Sequence, residues 1–131
     1  MLLTKEFDYA IRIIRALSCF EKQQVKVICD KEHIPHQFAY KIIKKLEVGG
    51  IVTAFRGVNG GYILSKEPNS FTLYDILTLI DENMFVCDCM KSEKKCPNNL
   101  AGSLCKVHEE FADIQRYLVE RLKSKTMDTV L

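Results

Sequence analysis

Cys87, Cys89, Cys96 and Cys105 fall within 19 residues, as a Cys-x-Cys-x6-Cys-x8-Cys set. Gaps this uneven cannot put every sulfur on one face of a helix, so the spacing predicts a loop that gathers thiolates. Thiolate is the form of cysteine that binds metal and the form that oxidants attack, and such a loop therefore reads as a metal centre or a redox switch. Structural zinc and a metal-free thiol switch are both compatible with four cysteines at these intervals. The other two cysteines, Cys19 and Cys29, read as small buried apolar side chains on or next to helices.

Several classes of function fall away on composition. The chain of 131 residues is about one domain, with room for a small appendage. No run approaches the roughly 18 apolar residues that a membrane span needs. Met1 to Glu6 contain no long apolar stretch and no small-residue cleavage site, so no signal peptide is expected and the expected compartment is the cytoplasm. In that compartment cysteines serve metal or redox chemistry rather than a disulfide framework. Beyond the cysteines nothing resembles a catalytic base constellation, and no enzyme is expected.

Charge divides the chain in two. Residues 1–66 hold 11 Lys and Arg against 6 Asp and Glu, a net of +5, whereas residues 67–131 hold 8 against 11, a net of −3. A basic first half suits a polyanion such as DNA; the acidic second half does not.

The elements that must position these groups follow from periodicity. Phe7, Ala10, Ile11, Ile14 and Leu17 recur at three- and four-residue intervals, which predicts an amphipathic helix over 4–18 with Thr4 as its cap. Val27, Ile28 and Ile34 bracket a short second helix ending near His33. Pro35 opens a third, with Phe38, Ile42, Ile43 and Leu46 as its buried stripe and Gly49 and Gly50 as its stop. Two strand-like runs, 51–55 and 62–64, flank a turn rich in glycine and asparagine, which predicts a hairpin. Thr72 and Asp75 make a capping-box variant for a helix to about Asp81. The cysteine loop follows, spanning 83–105. A long last helix, about 106–123, carries Val107, Phe111, Ile114, Leu118 and Leu122 on one face.

Helix, helix, turn, helix and a glycine-tipped hairpin is the order of a winged helix-turn-helix, in which the last helix enters the major groove and the hairpin touches backbone or minor groove. The fold class expected is mainly α with a small β-wing. Residues 1–66 would form the DNA-binding unit, and 67–131 a dimerisation region with the cysteine loop and the long helix. His36, Gln37, Tyr40, Lys41, Lys44 and Lys45 are long polar or basic side chains able to reach base edges or phosphates. Arg56 and Asn59 lie on the hairpin, and Arg56 suits a narrow minor groove.

The chain resembles the IscR/NsrR family of bacterial winged-helix regulators. The resemblance is carried by Met1-Leu2-Leu3-Thr4 with Tyr9-Ala10-Ile11-Arg12, by Leu46 to Val52, by Thr72 to Leu77, and most specifically by Arg56-Gly57-Val58-Asn59-Gly60-Gly61-Tyr62-Ile63-Leu64. It implies a homodimer joined by long C-terminal helices and an iron–sulfur cluster held by three cysteines and a variable fourth ligand. Cys96, followed by Pro97, and Cys105 match the family's second and third cysteines. Cys89, with six residues between it and Cys96, is preferred to Cys87 as the first, while the eight residues between Cys96 and Cys105 are more than the family's usual gap.

For the fourth ligand the resemblance implies Asp8, supplied across the dimer in the NsrR-like branch, or His108, three residues after the last cysteine in the IscR-like branch. Cys87 is a third candidate. With Asp8 the [4Fe-4S] form is expected ahead of [2Fe-2S]. The expected function is a DNA-binding transcriptional regulator whose operator affinity follows the cluster, and through it redox state, nitric oxide, oxygen or iron supply. The alternatives are the same DNA-binding unit with zinc or a thiol switch, and an adaptor that docks on another protein. Tyr40 stands where relatives often carry a residue such as Glu, so their preferred sites do not transfer. Neither the operator nor the choice between activator and repressor is legible.

Overall fold

A computed structural model describes residues 3–91, 96–99 and 105–131. Met1 and Leu2 of the family-like opening, and residues 92–95 and 100–104 of the expected cysteine loop, lie outside the described residues. The order is α1 (Lys5–Leu17), α2 (Val25–Glu32), α3 (His36–Val48), β1 (Val52–Phe55), β2 (Gly61–Leu64), α4 (Leu73–Ile80) and α5 (Lys106–Lys123), with short 3-10 turns between and after them.

Helix α1 is the axle of the molecule. Thr4 caps it by accepting from the Phe7 N–H at 3.3 Å. It packs against α2, α3 and α4, and so buries Ile13 and Ala16 as well as the expected Phe7, Ala10, Ile14 and Leu17. Ile11, expected in the stripe, is only half-buried. Side chains of this size contribute roughly 1.5–3 kcal/mol each on leaving water.

Helix α2 turns off at His33, which takes the left-handed conformation with φ 55°. Helix α3 buries Ala39, Ile42, Ile43 and Leu46. Phe38, expected in that stripe, is exposed at the edge and leans on Tyr9, with ring centroids 5.9 Å apart. Val27 on α2 is exposed too. Cys29 is buried as expected, and burial pushes its thiol up. Cys19 departs from expectation. It lies past the end of α1, exposed, where it accepts from Gln23 Nε2 at 2.9 Å and donates to the Ala16 carbonyl.

Strands β1 and β2 pair antiparallel, Val52 with Leu64 through Phe55 with Gly61. The hairpin is strapped to the segment before α2 by reciprocal bonds between Gln23 and Tyr62, at 2.9 and 2.8 Å. Glycine is required in this turn. A Cβ on Gly60 would stand 2.4 Å from the Phe55 carbonyl oxygen, and one on Gly61 would stand 2.8 Å from that of Gln23.

Helix α4 starts with the expected capping box: the Thr72 N–H donates to Asp75 and the Asp75 N–H donates to Thr72 Oγ1. Phe71, Ile76, Leu77 and Ile80 join the same core as α1 and α3, so the two charge-defined halves of the chain share one hydrophobic centre. Helix α5 enters that core through Leu122, and Met127 follows it, bonded to the Phe71 carbonyl at 2.9 Å. Higher on α5, Val107, Ile114 and Tyr117 are exposed. Of the apolar stripe read from the sequence, Leu122 is buried, Phe111 and Leu118 are half-buried, and Val107 and Ile114 stay exposed among the described residues.

Candidate nucleic-acid interface and metal centre

Because α3 commits Ala39, Ile42, Ile43 and Leu46 to the core, its helical period turns His36, Gln37, Tyr40, Lys41 and Lys44 outward. Tyr40 is 58% exposed. Beside this face stands the wing, with Arg56 and Asn59 exposed and Val58, at 96% exposure, at its tip. A cleft of about 310 Å³ separates the two. Tyr40 lines it from α3, Gln24 and Lys26 from the start of α2, and Phe55, Gly57 and Gly60 from the wing. A basic helix face, a projecting hairpin and a groove between them are what a DNA backbone and its base edges require.

The lysines of α3 are not equivalent. Among the described residues, the ionic partner of Lys44 is Glu47 on its own helix, at 3.0 Å. Lys41 Nζ lies 2.7 Å from one oxygen of Glu6, and Lys45 Nζ lies 3.4 Å from the other. Lys45 also donates to the Ile80 carbonyl at 2.6 Å, where α4 ends. The hydrogen bond from Lys41 and the two ammonium charges hold the Glu6 carboxyl below its usual range, against partial burial, which pushes it up. No spacing in the sequence announces this: Glu6 lies 35 residues from Lys41.

Cys87, Cys89, Cys96 and Cys105 are half-buried thiols outside any disulfide, between α4 and α5. Cys89 Sγ donates to Cys87 Sγ at 3.6 Å. The Cys87 thiol is held low, first by the Cys89 backbone N–H and then by the Cys89 side chain. The Cys89 thiol is pushed up by its bond to Cys87, by burial, and by the negative charge of Cys87, Cys96 and Cys105. Cys89 thus feels the charge of each of the other three sulfurs. Among the described residues, no three His, Cys, Asp or Glu side chains already stand at metal-binding distances. The two statements are compatible, since charge acts over a longer range than a coordinate bond.

Gln115 on α5, which the sequence reading missed, positions this segment. Its Oε1 accepts from the Val86 N–H at 2.8 Å, and its Nε2 donates to the Met84 carbonyl at 3.0 Å. A single glutamine on a helix carries no sequence signal for such a clamp. The start of α1 is near as well: Thr4 shares a cleft of about 470 Å³ with Cys87, Asp88 and Lys91.

The two candidate outer ligands differ. Asp8 is exposed and paired with Arg12 on its own helix at 2.9 Å. His108 Nδ1 is buried, with no hydrogen-bond partner among the described residues. A buried polar atom left unpaired costs on the order of 1–3 kcal/mol, and at a histidine three residues from Cys105 a metal would satisfy it. Three thiolates with one nitrogen or oxygen donor suit iron–sulfur iron.

A family model described as "Rrf2: Iron-dependent Transcriptional regulator" matches residues 3–131. The HTH-type transcriptional regulator NsrR of Shouchella clausii (strain KSM-K16) is 28% identical over 131 residues, covering 93% of this chain and 88% of its own. Among solved structures, T. potens IscR superposes with a TM-score of 0.73 at 20% identity, over 95% of this chain and 82% of its own. CymR (YrzC), the global cysteine regulator of B. subtilis, gives 0.72 at 21%, over 97% and 93%. At such identities these two structures speak for the fold, and they bear out the expected winged helix-turn-helix.

Proposed function

The chain belongs to the Rrf2 family of transcriptional regulators, which are not enzymes, and on that premise we propose that it is a cytoplasmic homodimeric DNA-binding regulator whose operator affinity is controlled by an iron–sulfur cluster. One observation carries the cluster: four half-buried thiols in one segment flanked by α4, α5 and the start of α1, with the charge of the other three felt at Cys89.

In this reading α3 enters the major groove. His36, Gln37 and Tyr40 face base edges, Lys41 and Lys44 face phosphates, and Arg56 and Asn59 extend the contact through the wing. The uncovered stripe of α5 joins two copies. Two reading heads then address half-sites about 34 Å apart on one face of the duplex.

Cys89, Cys96 and Cys105 hold the cluster. When bound, it supplies a redox-active iron centre whose potential follows ligand type, charge and exposure. A carboxylate from Asp8 of the partner subunit would complete the set with a harder donor than thiolate, leaving one corner weakly held and favouring the [4Fe-4S] form. The unpaired Nδ1 favours a second version, with His108 as that ligand. The chain's own contribution to the switch is mechanical. The cysteine segment is bonded to α5 through Gln115, and the Asn83 N–H at its start donates to Asp81, the residue that caps α4, so ordering or releasing it bears on the dimer contact and on α4 together. A tenfold change in operator affinity needs only about 1.4 kcal/mol of difference between the two states.

The Cys87–Cys89 sulfur pair at 3.6 Å supports a different second reading, a metal-free thiol switch on the same DNA-binding unit. One titration separates the two. Anaerobically purified protein is titrated onto promoter DNA before and after iron is stripped by a chelator under reducing conditions. The cluster reading predicts at least a tenfold change in affinity on stripping. No change then, with a change on thiol oxidation, supports the thiol switch.

A further inference from the structure

We infer that Glu6 is an affinity-determining residue: its carboxylate occupies the Lys41 ammonium group of the recognition helix, which a DNA phosphate would otherwise take. The protein then binds duplex DNA more weakly, and with a shallower salt dependence, than the basic face of α3 would allow. The inference rests on the DNA-binding reading above.

A phosphate and a carboxylate compete for the same chemistry, since each offers paired anionic oxygens to an ammonium group. Glu6 offers one oxygen to Lys41 and the other to Lys45. The two lysines then diverge. Lys45 is further bound to the Ile80 carbonyl at 2.6 Å and is two-thirds covered, so it stays in the fold. Lys41 is 60% exposed, and among the described residues Glu6 is its one ionic partner. It lies next to Tyr40 on the outward face of α3, within reach of a backbone lying across that face. Exposed pairs of this kind are weak, so Glu6 tempers the lysine without removing it. Lys45 keeps Glu6 in place, which leaves Lys41 as the cation that exchanges between carboxylate and phosphate.

The test uses the full chain, purified anaerobically, with a short mixed-sequence DNA duplex as the probe. Binding is followed by fluorescence anisotropy across a salt series for the wild type, Glu6→Gln, Lys41→Gln and the double variant, each checked for folding by thermal melting. We expect Glu6→Gln to bind several-fold more tightly at low salt. Its slope of log affinity against log salt should steepen by up to about 0.9, the equivalent of one phosphate. Lys41→Gln should cancel that gain in the Glu6→Gln background and should cost much less alone. A folded Glu6→Gln protein with unchanged or weaker affinity and an unchanged slope overturns the inference. So does Lys41→Gln alone lowering the slope by a full phosphate, a readout that stands even if Glu6→Gln fails to fold. Absence of salt-dependent binding by every folded form overturns the DNA-binding reading, and the inference with it.

Discussion

Lys45 of α3 donates from Nζ to the carbonyl of Ile80, the last residue of α4, at 2.6 Å. One side chain thereby joins the recognition helix to the point where the chain leaves α4 for the cysteine segment. Its neighbour Lys44, one residue back, pairs with Glu47 on its own helix and is largely exposed.

These two lysines should therefore separate in a single experiment. Lys44→Gln is expected to weaken DNA binding on every sequence and to lower the salt slope by about 0.9, leaving the melting temperature unchanged. Lys45→Gln is expected to leave the slope nearly unchanged. It should lower stability by about 1 kcal/mol, since it removes a charged hydrogen bond to a helix end that is only partly screened. Salt-series binding and thermal melts read both, and reversed roles for the two lysines would contradict the assignment.

Gln115 offers a way to loosen the cysteine segment without touching a cysteine. Gln115→Leu keeps the bulk of the side chain but leaves the Val86 N–H and the Met84 carbonyl without their protein partner. We expect about 1 kcal/mol of lost stability and a cluster that decays several-fold faster in air. Visible absorbance followed over time measures the second effect, and an unchanged half-life would remove Gln115 from the account.

The fourth ligand is decided by a pair of variants. If Asp8 crosses the dimer, Asp8→Ala shortens the life of the cluster, and His108→Ala alters only the surroundings of a buried nitrogen. If His108 binds iron, the ranking inverts. Ultraviolet–visible and electron paramagnetic resonance spectra of both variants, prepared side by side without oxygen, give the order.

The exposed stripe of α5 predicts the assembly. Ile114 is exposed in one chain, with Val107 and Tyr117 on the same helix, and a carboxylate there would have to be buried between two copies. Ile114→Glu is expected to shift sedimentation from dimer toward monomer and to cut affinity for a two-half-site duplex far more than for a single half-site. Dimeric sedimentation of this variant would direct attention to another surface.

Much of the fold was legible because it rests on periodicity and turn chemistry. Thr4, the Thr72–Asp75 box and the glycine-tipped hairpin each declare their element locally, and helices α1 to α5 fall where the spacing put them. Phe38 was misjudged because an apolar residue at the right interval still depends on which neighbour arrives to cover it, and Ala39 filled the α3 contact instead. Ile13 was missed because α1 packs on three helices and buries more than one stripe. Cys19 was misjudged for a related reason, since two residues past the end of a helix the period no longer sets direction. The site was legible in its residue types but not in its wiring. Glu6 with Lys41 and Lys45, and Gln115 with the segment before Cys87, are long-range contacts between residues that look like ordinary solvated surface in the sequence. His108 was visible as a candidate, but its unpaired nitrogen needed the fold.

The central claim is that the cysteine segment holds an iron–sulfur cluster. The direct test is anaerobic purification with iron, acid-labile sulfide and zinc analysis alongside visible spectroscopy. The account predicts a brown protein with broad visible absorbance and matched iron and sulfide, both lost in Cys96→Ala and Cys105→Ala. A colourless anaerobic preparation that contains zinc, or no metal, and no sulfide would contradict it.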